Sequence, residues 1–237
     1  MSELLRRWVE GWRLCRGLAP VIEYDDAVAV VLRLPGRERE LFALTDDPLV
    51  VDRLAAGMVE DVWLTVTTQH GAGVARRLAA AGLEPFAEQK LLMSIDLRDH
   101  PQPATSLSEV QVWPSGDEPY ELEITSAGPL EYVRILAVDG TIAARGMASI
   151  VDNDAVMHDI QTDPAHRRRG LGSVVMGALS RRAVERGADS GLLMATVEGV
   201  HLYRTLGWLP EATMVTARGS GGSGAVSGDL GAVLTGR

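Results

Sequence analysis

The chain has 237 residues, enough to bury a large core and to form one or two domains. Its net charge of −9 argues against a general nucleic-acid binder, and its single cysteine, Cys15, excludes an intrachain disulfide and fits a reducing cytoplasm. No stretch approaches the roughly 18 uncharged apolar residues of a membrane span, and the charged N-terminal segment is unlike a signal peptide. These totals predict a globular cytoplasmic protein with neither nucleic acid nor membrane as partner.

The first part of the chain alternates helical and extended patterns. Residues 4–15 place apolar side chains, two tryptophans among them, on one stripe, which predicts an amphipathic helix. Residues 27–34 are rich in β-branched side chains and predict a strand, with residues 40–44 as its hairpin partner. Asp47 followed by proline predicts the start of a helix that runs to residue 56. Further elements are predicted as a strand at 62–67, a helix at 73–81 and a strand at 89–95.

The second part follows a polar, proline-bearing stretch, residues 98–108, which we interpret as a linker. An Asp-Gly hairpin signal at residues 139–140 joins two extended segments and predicts an antiparallel meander. Strands are predicted at 109–113, 120–125, 131–138, 141–151, 155–162, 192–196 and 211–217, and helices at 170–186 and 198–206. The Gly/Ser-rich residues 218–237 are predicted to be disordered.

The turn after Thr162 has the features of an anion site. Asp163 and a proline end an extended segment, three consecutive arginines follow, and Gly170 and Gly172 lead into a helical pattern. The first backbone N–H groups of a helix have no intrahelical partner, and the helix dipole favours negative charge there. Glycines let the backbone approach a phosphate, and arginines add charge and bidentate donors. In an acidic chain, this basic block predicts a local phosphate site.

The spacing of these residues separates rival phosphate motifs. The dinucleotide fingerprint needs a third glycine where this chain has Val175, and the P-loop needs a lysine that is absent here. Arg167-x-x-Gly170-x-Gly172 instead resembles the acetyl-CoA pyrophosphate loop of the GCN5-related N-acetyltransferase (GNAT) superfamily. Downstream, GVHLYRTLGW at residues 199–208 is similar to the second signature of that superfamily, in which a helix carries a tyrosine four residues before a Gly-aromatic turn. Two motifs in the right order are more specific than either alone.

The resemblance implies acetyl-CoA as a co-substrate. It assigns the diphosphate to main-chain amides of the basic turn, and the pantetheine arm to the end of the strand before it, where a backbone N–H would face the acetyl oxygen. The residues implied at the diphosphate are Arg167, Arg168, Arg169, Gly170, Leu171, Gly172 and Ser173. Those implied along the pantetheine arm are Ile160, Gln161 and Thr162.

The same resemblance places a general acid at Tyr203. A protonated tyrosine can donate to a departing thiolate, although a tyrosine in this position could also serve only as core. The acceptor amine must lose a proton, and His158 is the candidate base because imidazole is a proton acceptor near neutral pH. Asp159 is a second candidate, and some members of the superfamily use water chains instead.

Two departures from the family pattern affect the site. The asparagine often found seven residues before the tyrosine is Thr196 here, which puts its contact to the pantetheine or to the helix in question. Residues 115–129 are too few for the two helices that usually roof the acceptor site. We therefore expect the helix at residues 4–15 to supply that wall, and the acceptor is not readable from the family.

A weak internal repeat relates the two parts. Gly82-Leu83-Glu84-Pro85 follows a strand and a helix as Gly207-Trp208-Leu209-Pro210 does, and Leu78 then stands where Tyr203 stands. No Arg-x-x-Gly-x-Gly motif occurs before residue 100. We interpret residues 1–97 as a degenerate GNAT-like half, 98–108 as a linker, 109–217 as the acetyl-CoA-binding half and 218–237 as a tail. Coincidence is the alternative, since such turns are common helix ends.

These features predict an α/β protein with the GNAT fold: a mixed, mostly antiparallel central sheet flanked by helices, in tandem GNAT-like halves. The predicted function is transfer of an acetyl group from acetyl-CoA to an amine of a small molecule or protein, without a metal. The alternative is a non-catalytic acyl-CoA sensor, and Tyr203 favours the enzyme because a sensor needs no acid beside the sulfur. A nucleic-acid binder is disfavoured because the basic patch lacks interleaved aromatic residues. We expect a monomer or homodimer.

Overall fold

The computed structural model describes residues 1–98 and 119–219. Its helices are α1 (Ser2–Cys15), α2 (Pro48–Ala56), α3 (Gly71–Ala80), α4 (Leu171–Glu185) and α5 (Val197–Thr205), with a 3-10 turn at Pro164–His166. Its strands are β1 (Ile22–Glu23), β2 (Ala27–Leu34), β3 (Arg37–Ala43), β4 (Val62–Thr68), β5 (Leu83–Pro85), β6 (Lys90–Asp96), β7 (Glu121–Ala127), β8 (Leu130–Leu136), β9 (Ile142–Val151), β10 (Asp154–Thr162), β11 (Ser190–Ala195) and β12 (Leu209–Gly219).

The predicted elements that fall within the described residues are confirmed, and their ends differ from the prediction by at most three residues. Strands β1 and β5 are absent from the sequence-based prediction, because strands of two and three residues carry no readable periodicity. The strand predicted at 109–113 lies outside the described residues. Arg218 and Gly219 were wrongly assigned to the tail, since both belong to β12 and Arg218 pairs with Glu84.

The described strands form one mixed sheet. Their order is β1-β2-β3-β4-β12-β6-β11-β10-β9-β8-β7, with β5 beside β12. The pairs β3–β4 and β10–β11 are parallel, whereas the other neighbours are antiparallel. The predicted mixed, mostly antiparallel sheet is therefore confirmed.

The two parts of the chain exchange strands at the middle of this sheet. Strand β6, from the first part, lies between β11 and β12. The long β12 pairs with β6 through its first half and with β4 through its second half, where Thr213 lies opposite Thr68. Each part of the chain thus completes the sheet of the other, and the sequence division at residue 97 does not correspond to a break in the sheet.

Helix α1 contacts strands from both parts of the chain, β3 from the first part and β10 from the second. Trp8 and Trp12 stack on each other and both meet the ring of Phe42 on β3 at a centroid distance of 5.7 Å. The same cluster contains Val156 of β10. Four strands separate β3 from β10, a span of about 24 Å in a flat sheet, whereas a helix is about 10 Å wide. The sheet therefore curves around α1.

A close contact fixes α1 against β9 and β10. A Cβ at Gly11 would lie 2.2 Å from the side chain of Val156, and the Ser149 hydroxyl donates a hydrogen bond to the Gly11 carbonyl at 2.8 Å. Only glycine lets the helix backbone approach the sheet this closely. Helices α2 and α3 cover the sheet of the first part, and α4 packs on β8, β9 and β10.

Within the described residues, no helix is long and apolar enough to cross a membrane. The same part of the chain contains no group of three or more His, Cys, Asp or Glu residues that could hold a metal ion. Cys15 lies at the end of α1, and burial raises the pKa of its thiol to about 11. A thiol with such a pKa stays protonated near neutral pH, as expected of a cysteine that serves packing and not nucleophilic attack.

Candidate active site

A cavity of about 1030 Å³ runs from the turn after β10 to α1. Its walls are the end of β10, the basic turn, the first turn of α4, the end of β11 and one side of α5. Trp8 and Trp12 close its far end. A volume of this size is at the upper end for small-molecule and cofactor sites. The sequence predicted most of one wall, because the motif residues are contiguous.

The cavity opens where β10 and β11 separate. The two strands pair only from Asp154 to Val156, whereas β11 stays paired with β6 on its other edge along its whole length. The register of β10 on β9 shifts between His158 and Gln161, and Asp159 at this bulge has a φ of +53°. A bulge bends its strand and re-aims the residues that follow it. The backbone edge of β10 beyond Val156 thus borders the cavity instead of pairing with β11.

The three residues predicted along this edge all line the cavity. Ile160, Gln161 and Thr162 lie there with Met157 of the same strand. Asp159 is held beside them, because Gln161 donates to its carboxylate at 2.6 Å and Arg145 forms an ion pair with it at 3.1 Å.

The basic turn is shaped by bonds from its own side chains. The Asp163 carboxylate accepts a hydrogen bond from the Ala165 N–H at 2.8 Å, which caps the 3-10 turn. The Arg167 guanidinium donates to the carbonyl of Thr162 at 3.3 Å. Both bonds fold the turn back onto the end of β10.

Several amides of this turn are free. Arg168 and Gly170 have φ of +65° and +78°, so the chain passes through two left-handed residues before α4 begins. No side chain caps α4. The N–H groups of Arg168, Gly170, Leu171 and Gly172 donate no hydrogen bond to any described residue. Because the same residues line the cavity, the amides and the dipole of α4 form an anion site at its mouth.

The three arginines do not share one role. Arg167 and Arg168 line the cavity, and the guanidinium of Arg168 has no partner among the described residues. Arg169 does not line it, and instead donates to the hydroxyl of the buried Tyr120 at 2.8 Å. The sequence motif alone did not separate these arginines, because their divergence depends on a residue almost fifty positions away.

Glycine at 172 has a steric reason. A Cβ there would lie 3.0 Å from the Cδ2 of Leu202 on α5. The start of α4 and the side of α5 therefore approach each other across the cavity, with Ser173 beside them. A larger side chain at 172 would enter the space that leads to the amides.

Tyr203 lies on α5 and lines the cavity while it is only 8% exposed. Burial raises the pKa of its phenol to about 12, so the hydroxyl stays protonated at any pH near neutral. The hydroxyl has no hydrogen-bond partner among the described residues. Gly199, one turn earlier, leaves room for the ring, since a Cβ there would lie 2.9 Å from its Cε2 atom. A protonated donor is thus free to serve a bound group.

Thr196 takes over one function of the absent asparagine. It is the N-cap of α5, and its hydroxyl accepts a hydrogen bond from the Gly199 N–H at 3.2 Å. The helix that carries Tyr203 is therefore anchored despite the substitution in the family pattern. Thr196 also lines the cavity.

His158 lines the cavity on β10 and is half-buried. Burial lowers its pKa, the positive charge of Arg16 lowers it further, and Asp159 opposes both effects. The imidazole is therefore neutral at neutral pH and can accept a proton. The cavity thus brings together the imidazole and the phenol that the sequence predicts as base and acid.

The expectation that α1 supplies a wall agrees with the position of Trp8 and Trp12 at the far end of the cavity. The sequence analysis did not identify several other lining residues from β9, β11 and α5. These are Ile142, Ala144, Arg145, Met194, Glu198, His201, Leu202 and Thr205. His201, Leu202 and Thr205 lie within the second signature but have no assigned role in it, whereas the other five belong to no motif. The meander and the separation of β10 from β11 bring the residues of β9 and β11 to the cavity.

Comparison with known proteins identifies a family for the chain. The acetyltransferase (GNAT) family model matches residues 90–208, half of the chain. A GCN5-related N-acetyltransferase from Kribbella flavida is 19% identical, with a TM-score of 0.63 over 93% of this chain and 96% of its own. A tandem GNAT protein from the clavulanic acid biosynthesis pathway is 13% identical, with a TM-score of 0.56 over 84% of this chain and 80% of its own. No curated protein sequence matches significantly.

The family model defines an acyltransferase, and the fold agrees with it. The chain belongs to the acetyltransferase (GNAT) family. The solved structures, each below 25% identity, support the fold alone.

Proposed function

We propose that this protein is an acetyl-CoA-dependent N-acetyltransferase that acts on an amine of a small molecule or a protein. The observation that carries the proposal is a single cavity with free amides at the start of α4 at one end, Tyr203 and His158 along it, and the aromatic wall of α1 at the other end. An activated acetyl thioester is the chemistry that acetyl-CoA supplies when bound.

The residues fit the cofactor in the order in which its parts are connected. The free amides and Arg168 suit a diphosphate, because they combine positive charge with outward N–H donors. The unpaired edge of β10 suits a pantetheine arm, whose amides can bond to a free strand edge. The acceptor amine then approaches from the side of Trp8 and Trp12.

In this proposal His158 accepts the proton of the acceptor amine. The nitrogen lone pair forms the new C–N bond as the C–S bond breaks, so the amine must give up one proton and the sulfur must gain stabilisation. A neutral imidazole on β10 faces the cavity where this nitrogen would lie. Asp159 is less suited, because Arg145 and Gln161 already occupy its carboxylate.

Tyr203 stabilises the leaving sulfur. With a pKa of about 12, it is a weaker acid than a tyrosine in water and would give its proton less readily to a thiolate. Burial in the same cavity also raises the pKa of the thiol. The difference between the pKa values of the phenol and the thiol is therefore smaller than it would be for a thiol in water. We therefore assign Tyr203 as the hydrogen-bond donor to the sulfur. The proton that His158 takes from the amine balances the one that the thiolate gains, so both side chains return to their starting protonation states.

The direct test is release of thiol from acetyl-CoA in the presence of a panel of amines, with wild type and Tyr203→Phe compared. We expect Tyr203→Phe to lower kcat about 100-fold, because general acid assistance is typically worth that much, while CoA still binds. Tyr132→Phe is the matched control, since Tyr132 lies on β8 and does not line the cavity.

The second candidate is a non-catalytic acyl-CoA sensor, which the free amides support equally well. It predicts CoA binding without turnover on any amine and no effect of Tyr203→Phe on binding. Failure of wild type to bind CoA in calorimetry would contradict both candidates.

A further inference from the structure

The basic turn, which carries the free amides, contacts one buried tyrosine through two of its side chains. Tyr120 is 3% exposed and lies just before β7. Its hydroxyl is 3.0 Å from Nδ1 of His166 and accepts a hydrogen bond from Arg169 at 2.8 Å. The rings of Tyr120 and His166 meet edge to face, with centroids 5.7 Å apart.

The two partners of Tyr120 lie close to the free amides in the sequence of the turn. His166 ends the 3-10 turn, and Arg169 directly precedes Gly170, the N-cap of α4. The two contacts therefore bracket Arg168 and adjoin Gly170, whose amides are free. A hydroxyl oxygen can accept from a guanidinium while its hydrogen is donated to an unprotonated Nδ1, so both bonds can exist together.

Holding the turn in advance should favour ligand binding. Each residue that becomes ordered only on binding loses backbone entropy, which weakens binding. Arg168 and Gly170 also sit at positive φ, which free chains seldom adopt together. A turn fixed before the ligand arrives avoids this cost, as in other preorganised sites.

We propose that Tyr120 is a positioning residue for the diphosphate end of acetyl-CoA, acting through His166 and Arg169. This inference rests on the proposed function, because it assumes that the turn binds that diphosphate. It assigns Arg169 to fixing the turn, and leaves Arg168 as the cavity-lining arginine of the three whose guanidinium has no partner among the described residues. Tyr120 itself touches neither the reacting atoms nor, by this assignment, the cofactor.

The test is Tyr120→Phe in the full chain, which keeps the ring and removes only the hydroxyl. Binding of CoA is measured by calorimetry, and binding of pantetheine, which lacks the diphosphate, by competition against CoA. We expect CoA to bind about 5- to 20-fold more weakly, a loss typical of hydrogen bonds to charged groups, and pantetheine to bind as in wild type. The KM for acetyl-CoA should rise with an unchanged kcat.

The two ligands separate positioning from a general structural role. Equal weakening of CoA and pantetheine, or unchanged CoA affinity, would overturn the inference. Should Tyr120→Phe fold poorly, His166→Leu removes one of the two contacts at a half-buried site, and the same selective but smaller loss is expected. Wild type that binds no CoA would contradict the proposed function, whereas wild type that binds CoA as tightly as Tyr120→Phe would contradict this inference alone.

Discussion

The turn from β3 to α2 and the turn from β10 to α4 occupy equivalent places after a strand of a parallel pair, yet they differ at the helix start. At α2 the Asp47 carboxylate accepts from the N–H groups of Leu49 and Val50 at 2.9 and 3.2 Å. At α4 the N-cap is Gly170, which has no side chain and leaves the amides free. One helix end carries its own anion, whereas the other is open to an anion from outside.

The strands before these two turns also differ, in the number of residues that pair with the parallel neighbour. Strand β3 stays paired with β4 for five residues, from Arg39 to Ala43, whereas β10 leaves β11 after three. Leu78 of α3 is buried where α5 presents Tyr203. The turn to α2 thus has neither a separated strand edge nor an uncapped helix start, and α3 carries Leu78 in place of a tyrosine, which fits the interpretation of the first part as a degenerate half. The first part of the chain still contributes α1 to the wall of the cavity and β6 to the sheet of the second part.

The largest expected effect comes from adding a side chain at Gly172, in the first turn of α4, where the amides are free. Gly172→Val would place side-chain atoms against Leu202 and over the free amides, so we expect CoA affinity to fall at least about 100-fold. Calorimetry with CoA measures this loss. Gly73→Val is the control within α3, because the nearest atom to a Cβ there is 4.0 Å away and no effect on CoA is expected. Unchanged affinity in Gly172→Val would remove the diphosphate from this turn.

A smaller effect is expected from removing the Asp47 carboxylate that caps α2. Asp47→Ala removes the cap of α2 and should lower the free energy of unfolding by about 1 kcal/mol, measured by urea denaturation. Stoichiometry of CoA binding should stay unchanged, because β3 and β4 remain paired. Asp52→Ala, which removes only an exposed ion pair with Arg77, should cost less than about 0.5 kcal/mol. A second CoA site in Asp47→Ala would show that the cap alone separates the halves.

The smallest effect concerns the pH profile at the acceptor end. Arg16 lowers the pKa of His158, so Arg16→Gln should raise it. Because the neutral imidazole is the active form, the rate falls as pH drops through this pKa, and the fall should begin at higher pH in the variant. At pH 8 both proteins have neutral His158, and their rates should agree within about twofold.

An NMR titration of His158 measures the shift directly, and the rate profile measures its consequence. Arg6→Gln on the same helix is the control, since Arg6 pairs with Glu23 and does not line the cavity. Identical profiles for wild type and Arg16→Gln, despite a shifted titration of His158, would exclude His158 as the base.

The sequence by itself determined the elements and one wall of the site. Asp47 and Asp163 mark helix starts, and Arg167, Gly170 and Gly172 mark the open turn, because capping and left-handed turns depend on residues a few positions apart. Tertiary structure alone decided the exchange of β6 and β12, the far wall of the cavity and the contact of Tyr120 with Arg169. These depend on residues far apart in the chain, and a single sequence records no signal for such contacts when hydrophobic burial and sheet curvature bring them together.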